Sequence, residues 1–214
     1  MPEIIINGPE GRLECRYYPS RRDNAPIALV LHPHPLHGGS MNNKIVYNVF
    51  QSFKRRGFSV LRFNFRGVGR SQGEYDHGQG ELSDAATALD WLQAKNHEPG
   101  QCWIVGFSFG AWISMQLLMR RPEVAGFISI SPPANMYDFT FLAPCPSSGL
   151  ILQGSMDDIV PEPEVERLAQ KLQQQKGIEI TYEVFDGANH FYDDHMDQMI
   201  DFIGEYVDRR LIEG

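Results

Sequence analysis

The chain has 214 residues, of which 42% are hydrophobic and 21% charged, and a formal net charge of -8. That length suits one unit, residues 1–214, with a single sizeable core, and the acid excess, with only short and scattered basic pairs, argues against a nucleic-acid surface. No segment approaches the ~18 apolar residues of a membrane span, the opening MPEIIINGPEGR lacks the basic start and long apolar run of a secretory signal, and Cys15, Cys102 and Cys145 form no CxxC pair, so a cytoplasmic protein with reduced thiols is expected.

The first elements are two strands around a Gly-Pro-Glu-Gly turn in EIIINGPEGRLECRYYP, an N-terminal hairpin. Short apolar runs then alternate with helical patterns. IALVL (27–31) precedes a helix near 42–56; FSVLRFNF (58–65) precedes ELSDAATALDWLQAKN (81–96), with Ala85, Leu89 and Leu92 on one face. CWIV (102–105) precedes the apolar helix AWISMQLLM, and VAGFISI and GLILQ lead to the helix EPEVERLAQKLQQQ. IEITYEVF leads to a last helix with Met196, Ile200, Ile203 and Val207 on one stripe, and Met199, Phe202 and Tyr206 beside it as core or a dimer face. Buried strands separated by amphipathic helices mean an α/β fold, a mainly parallel sheet covered on both faces. Functional residues should collect in the loops at the C-terminal ends of its strands. No repeat, low-complexity tract or linker interrupts the pattern.

GFSFG, Gly106–Gly110, has the G-x-S-x-G form, a weak signal alone. Its setting strengthens it: a strand ends at Val105 and a helix begins after Gly110, the strand-turn-helix context of a nucleophile on a sharp turn. The glycines are needed because side chains two residues either side of Ser108 would collide as strand and helix close on each other. The helix N-terminus would aim the Phe109 amide at the space above Ser108. A serine hydroxyl needs a general base and a carboxylate to orient that base, in the order Ser, Asp, His for a hydrolase sheet. GLILQGSMDDIVP offers Asp157 just beyond one strand, and EVFDGANHFYDD offers His190 in the loop after the next. Asp157 stands nearer its strand than Asp158 and is preferred. The plain alternatives are an acid that caps the coming helix and a solvated loop histidine.

LHPHPLHGG (31–39) places His32, His34 and His37 within six residues, which suggests imidazole metal ligands, but no Cys, Asp or Glu in the stretch completes a shell. The backbone offers another use. Pro33 and Pro35 carry no amide hydrogen, so His34 holds the free donor between His32 and Leu36, in a stretch stiffened by two rings. A hydrolase takes one oxyanion donor from the residue after its nucleophile and another from the loop after its third strand. The His34 and Phe109 amides fit those places, with the His32 side chain a buried hydrogen-bonder. FRGVGRSQGE (65–74) is not a dinucleotide loop, because Gly67, Gly69 and Gly73 leave three residues where G-x-G-x-x-G needs two. The stretch SPPANMYDFTFLAPCPSS (131–148) is long enough to shape a pocket. Its Met136, Tyr137, Phe139, Phe141 and Leu142 either line an acyl site or pack beneath a surface loop.

With HPHPLHGGSMNNK, RFNFRGVGRSQGEYDHGQGELSD and GFSFGAW in this order, the chain resembles the α/β-hydrolases, and within them small, lidless, carboxylesterase-like bacterial hydrolases. The resemblance spans nearly the whole length. It implies an eight-stranded, mostly parallel sheet without a large cap, Ser108 as nucleophile, Asp157 as acid, His190 as base, and His34 and Phe109 amides as oxyanion hole. Neither a cofactor nor a metal is expected for this chemistry. His37 departs from the pattern, standing where an aromatic residue is expected, and becomes a candidate for the substrate pocket. The expected activity is hydrolysis of a small acyl ester, with a thioesterase or aminopeptidase on the same triad as alternatives. From another class, a non-catalytic binding module on a hydrolase scaffold is the rival. Partners beyond a small acyl substrate are not expected, neither nucleic acid nor membrane, and the chain is expected to be a monomer or homodimer.

Overall fold

A computed structural model describes residues 3–213; Met1, Pro2 and Gly214, the ends of the expected unit, lie outside the described residues. The hairpin is β1 (Glu3–Gly8) and β2 (Gly11–Tyr18), paired antiparallel. It is followed by β3 (Ile27–Leu31), α1 (Lys44–Arg55), β4 (Ser59–Phe63), α2 (Gln79–Lys95), β5 (Cys102–Phe107), α3 (Phe109–Leu118), β6 (Val124–Ile130), β7 (Gly149–Gly154), α4 (Glu162–Gln173), β8 (Ile180–Phe185) and α5 (Met196–Glu213). The eight strands form one sheet in the order β1-β2-β4-β3-β5-β6-β7-β8, parallel from β4 to β8 and antiparallel at the hairpin.

Every residue of β3, β4, β5 and β7 is buried, which explains their continuous apolar runs: such strands have protein on both faces. On one face, α1 and α5 pack Val49, Phe50, Phe53, Ile203 and Val207 against β3, β4 and β5. On the other, α2, α3 and α4 supply Ala85, Leu89, Ile113, Leu117, Val165 and Leu172. Met199 and Tyr206 are buried in the first of these cores and Phe202 packs against it, so this side of α5 is core rather than an exposed dimer face. Cys15 and Cys102 are buried thiols pushed up to about 12, chiefly by burial, which makes them inert at neutral pH.

Two boundaries differ from expectation at the place that matters most. β5 runs on to Phe107, and α3 begins at Phe109 rather than after Gly110, because the turn is so sharp that Ser108 alone joins strand to helix. α2 begins at Gln79, two residues early, since the buried Glu81 carboxylate accepts the Asp76 and Gly78 amides and caps the helix.

The loop after β4 is fixed by an ion pair. Arg66 donates from Nε and Nη2 to Asp84 on α2 at 3.0 and 2.9 Å, and its backbone amide adds a third bond to the same carboxylate at 3.0 Å. Both side chains are buried, and Gly80 leaves no Cβ to collide with the guanidinium. Removing the carboxylate strands a buried cation. Asp84→Ala should therefore cost about 3–5 kcal/mol, measured by urea unfolding. A loss below ~1 kcal/mol would mean that the pair does not hold this loop.

Candidate active site

Ser108 sits at the C-terminal end of the central strand β5 with φ 55° and ψ -120°, a left-handed conformation that costs a non-glycine residue about 1–3 kcal/mol. Two bonds hold it there: Ser108 N donates to Ile130 O at 2.8 Å, and Ala111 N donates to Ser108 O at 2.8 Å. The flanking glycines allow the close approach. A Cβ on Gly106 would run into the Gly110 carbonyl, and one on Gly110 would lie 2.5 Å from His32 O and 2.6 Å from Leu31 O. Strand β3, the turn and α3 are thus packed backbone against backbone.

Asp157 and His190 arrive from the loops after β7 and β8. The Asp157 carboxylate is buried; its Oδ1 accepts the amides of Ile159 (3.0 Å) and Val160 (2.7 Å). Its Oδ2 lies 2.7 Å from His190 Nδ1, and His190 Nε2 lies 3.2 Å from Ser108 Oγ. A carboxylate on Nδ1 keeps the ring proton there and leaves Nε2 free to take the serine proton. Asp158 is exposed and takes no part in this chain of contacts, so the geometry chooses between the two acids. Behind the pair, Tyr192 is fully buried, with its hydroxyl 3.3 Å from Ser131 Oγ; burial, with the Asp157 charge nearby, pushes its phenol up, so it stays protonated.

The three histidines of the 31–39 stretch do not converge as ligands. His32 is fully buried. Its Nε2 accepts the Phe65 amide at 3.0 Å, so the ring proton is on Nδ1 and is donated to Pro33 O at 2.6 Å. Both nitrogens are used, clamping the loop after β3 to the end of β4, and burial lowers its pKa to about 3. His34 Nδ1 accepts the Leu36 amide at 3.1 Å, which leaves its proton on Nε2, and burial together with His37 lowers its pKa. The His34 ring packs between Phe109 (4.9 Å between ring centres) and Tyr75 (5.0 Å), with the His37 ring at 4.5 Å. Among the described residues no acceptor takes the amide of His34 or of Phe109.

Ser108 opens into a cleft of about 550 Å³. One wall is His34, His37, Gly38, Gly39 and Asn43; the other is Pro133, Met136, Tyr137, Ile159 and Phe191. Of the candidate pocket residues, His37, Met136 and Tyr137 line it. Phe139 and Phe141 do not: Phe139 is buried under the 131–148 segment, where it lines a separate hollow against α4, and Phe141 packs on the same core. These two aromatics face inward onto the core that α4 and the segment's own Leu142 and Cys145 share. Sequence reasoning missed Ile159, Phe191 and Tyr75. Phe191 had a signal, standing next to His190, whereas nothing local marks Tyr75, which packs on His34 and Phe109.

The family model of the X-Pro dipeptidyl-peptidases (S15 family) matches residues 12–201. An uncharacterized protein of Rickettsia prowazekii is 54% identical over 97% of this chain and 89% of its own length. Among solved structures, a protein of unknown function from Agrobacterium tumefaciens superposes with a TM-score of 0.97 at 59% identity, over 99% of this chain and 97% of its own. A member of the a/b serine hydrolases without a lid, from Xanthomonas campestris, has a TM-score of 0.87 at 32% identity, over 97% of this chain and 94% of its own.

The neutral burial of His32 carries a pH signature. Unfolded, His32 takes a proton near pH 6.5; folded, it does so only near 3, so between these values the unfolded chain binds more protons and stability falls with falling pH. Urea midpoints measured from pH 7 to 4 should show His32→Gln less stable than the parent at pH 7, with the gap narrowing on acidification. A gap that stays constant would mean that His32 is not held neutral.

Proposed function

The chain belongs to the X-Pro dipeptidyl-peptidase (S15) family of α/β serine hydrolases, and from that membership and the site geometry we propose that it hydrolyses small carboxylic esters through an acyl-enzyme on Ser108. The carrying observation is the unbroken run of contacts from Ser108 Oγ through His190 to Asp157, which begins at a strained turn. In this reading His190 Nε2 takes the Ser108 proton as Oγ attacks the ester carbonyl. The amides of His34 and Phe109, which have no acceptor of their own among the described residues, receive the oxyanion. Collapse of the tetrahedral intermediate expels the alcohol, protonated by His190, and a water activated by the same imidazole releases the carboxylic acid. Asp157 holds the imidazole tautomer and offsets its transient charge. No step needs a cofactor.

The family model's description favours a second reading, release of X-Pro dipeptides from a peptide. Such a peptidase must hold a free substrate amine, for which a carboxylate facing the cleft is the natural partner. Among the described residues, no Asp or Glu lines the cleft, and its far wall of Pro133, Met136, Ile159 and Phe191 is apolar. An ester with an uncharged acyl group fits these walls better. The 131–148 segment contributes Met136 and Tyr137 but no helix to cover the cleft, which suits a small or flexible substrate.

p-Nitrophenyl acetate should give a burst of one equivalent followed by turnover, and Ser108→Ala should abolish the burst. Asp157→Asn should lower kcat by about 10³–10⁴-fold through the wrong histidine tautomer, while Asp158→Asn stays within about twofold. An X-Pro dipeptidyl nitroanilide turned over faster than any ester would replace the ester reading with the peptidase one. A Ser108→Ala enzyme with full activity would remove both.

A further inference from the structure

Gln153 lies one residue from the end of β7, fully buried beneath the Asp157 loop. Its side-chain nitrogen faces three oxygens: Val160 O at 2.7 Å, Asp157 Oδ2 at 3.1 Å and Gly154 O at 3.4 Å. None of these has a proton to give when the carboxylate is ionised, so the NH2 group must be the end that meets them. The reversed amide would set Oε1 against the same three acceptors. In the required orientation, however, Oε1 is left buried without a partner. An orphaned acceptor destabilises the fold. The orphan is tolerated because the donors are needed, and one of them ends on the carboxylate oxygen that receives His190 Nδ1–H.

We propose that Gln153 is a positioning residue for the reaction, acting through Asp157. Ile159 and Val160 hold Oδ1 from one side, and Gln153 holds Oδ2 from the other. Together they fix the carboxylate plane, so that Oδ2 stays aligned with His190 Nδ1 while Nε2 points at Ser108 Oγ. With Gln153 gone, the two bonds to Oδ1 let the carboxylate rock about its Cβ–Cγ bond, and the imidazole loses its fixed direction. The GLILQ strand carried the signal, a single amide at the end of an otherwise apolar buried run. This inference rests on the proposed triad.

Two variants test it. Gln153→Met keeps the length but removes the donors, from the Val160 carbonyl as well as from Asp157; Gln153→Glu keeps the shape but sets a second carboxyl against Asp157. Gln153→Met should lower kcat about ten- to a hundredfold at unchanged KM, because misaligned catalytic groups cost rate rather than binding. Gln153→Glu should lose more. The downfield proton resonance of His190 Nδ1–H, followed by NMR, should move or broaden in both variants. A Gln153→Met enzyme with kcat within twofold of the parent overturns the proposal, and so does a loss of kcat that tracks a lowered midpoint with the resonance unmoved. A parent that gives no burst with p-nitrophenyl acetate fails the serine-hydrolase reading instead, and the resonance then still reports whether Gln153 holds the Asp157–His190 pair.

Discussion

The backbone of Ser108 is the constraint on which the rest of the site depends. A left-handed serine between Phe107 and Phe109 is unfavourable by itself and is held by the end of β6 on one side and the first turn of α3 on the other. That turn is possible only because Gly106 and Gly110 let three backbones close on one another. The same closure brings the Phe109 amide to the head of α3 and sets the loop after β3 directly beside it. A methyl group at Gly110 would push β3 and α3 apart.

The surroundings are arranged so that protons sit on chosen atoms. Asp157 is buried but receives three donors besides the imidazole, so its charge is met on both oxygens. His32 is buried without an acid partner, and its neutrality follows from that burial. His34 Nδ1 accepts a hydrogen bond from the Leu36 amide, which leaves the ring proton on Nε2. Three histidines in one short stretch therefore do three things: His32 clamps the loop, His34 shapes the wall of the cleft and offers its amide, and His37 lies exposed on the rim. The Arg66–Asp84 pair acts at longer range, by fixing the loop that carries Tyr75 onto the His34 ring.

The fold was legible because its central strands are buried on both faces while helices such as α2 and α5 are buried on one: the contrast between runs such as IALVL and those striped helices is a direct record of solvent contact. Ser108, Asp157 and His190 could be read because each follows a strand end, and the order of strands in the chain gives the order of loops around the site. Strand and helix limits at the turn could not, since a junction of one residue leaves no loop for composition to mark. Phe139 and Phe141 resemble Met136 and Tyr137 in chemistry, and only packing separates those that turn under the segment from those that face Ser108. Gln153 is another such case: its place in the strand was visible, but its orphaned oxygen belongs to three dimensions.

The most direct measurement is a crystal structure of the protein after reaction with an alkyl fluorophosphonate. Phosphorus should be bonded to Ser108 Oγ, with its unsubstituted oxygen within hydrogen-bond distance of both the His34 and Phe109 amides and His190 Nε2 on the opposite side. An adduct on another residue, or a phosphonyl oxygen turned away from His34 N, would contradict the proposed site.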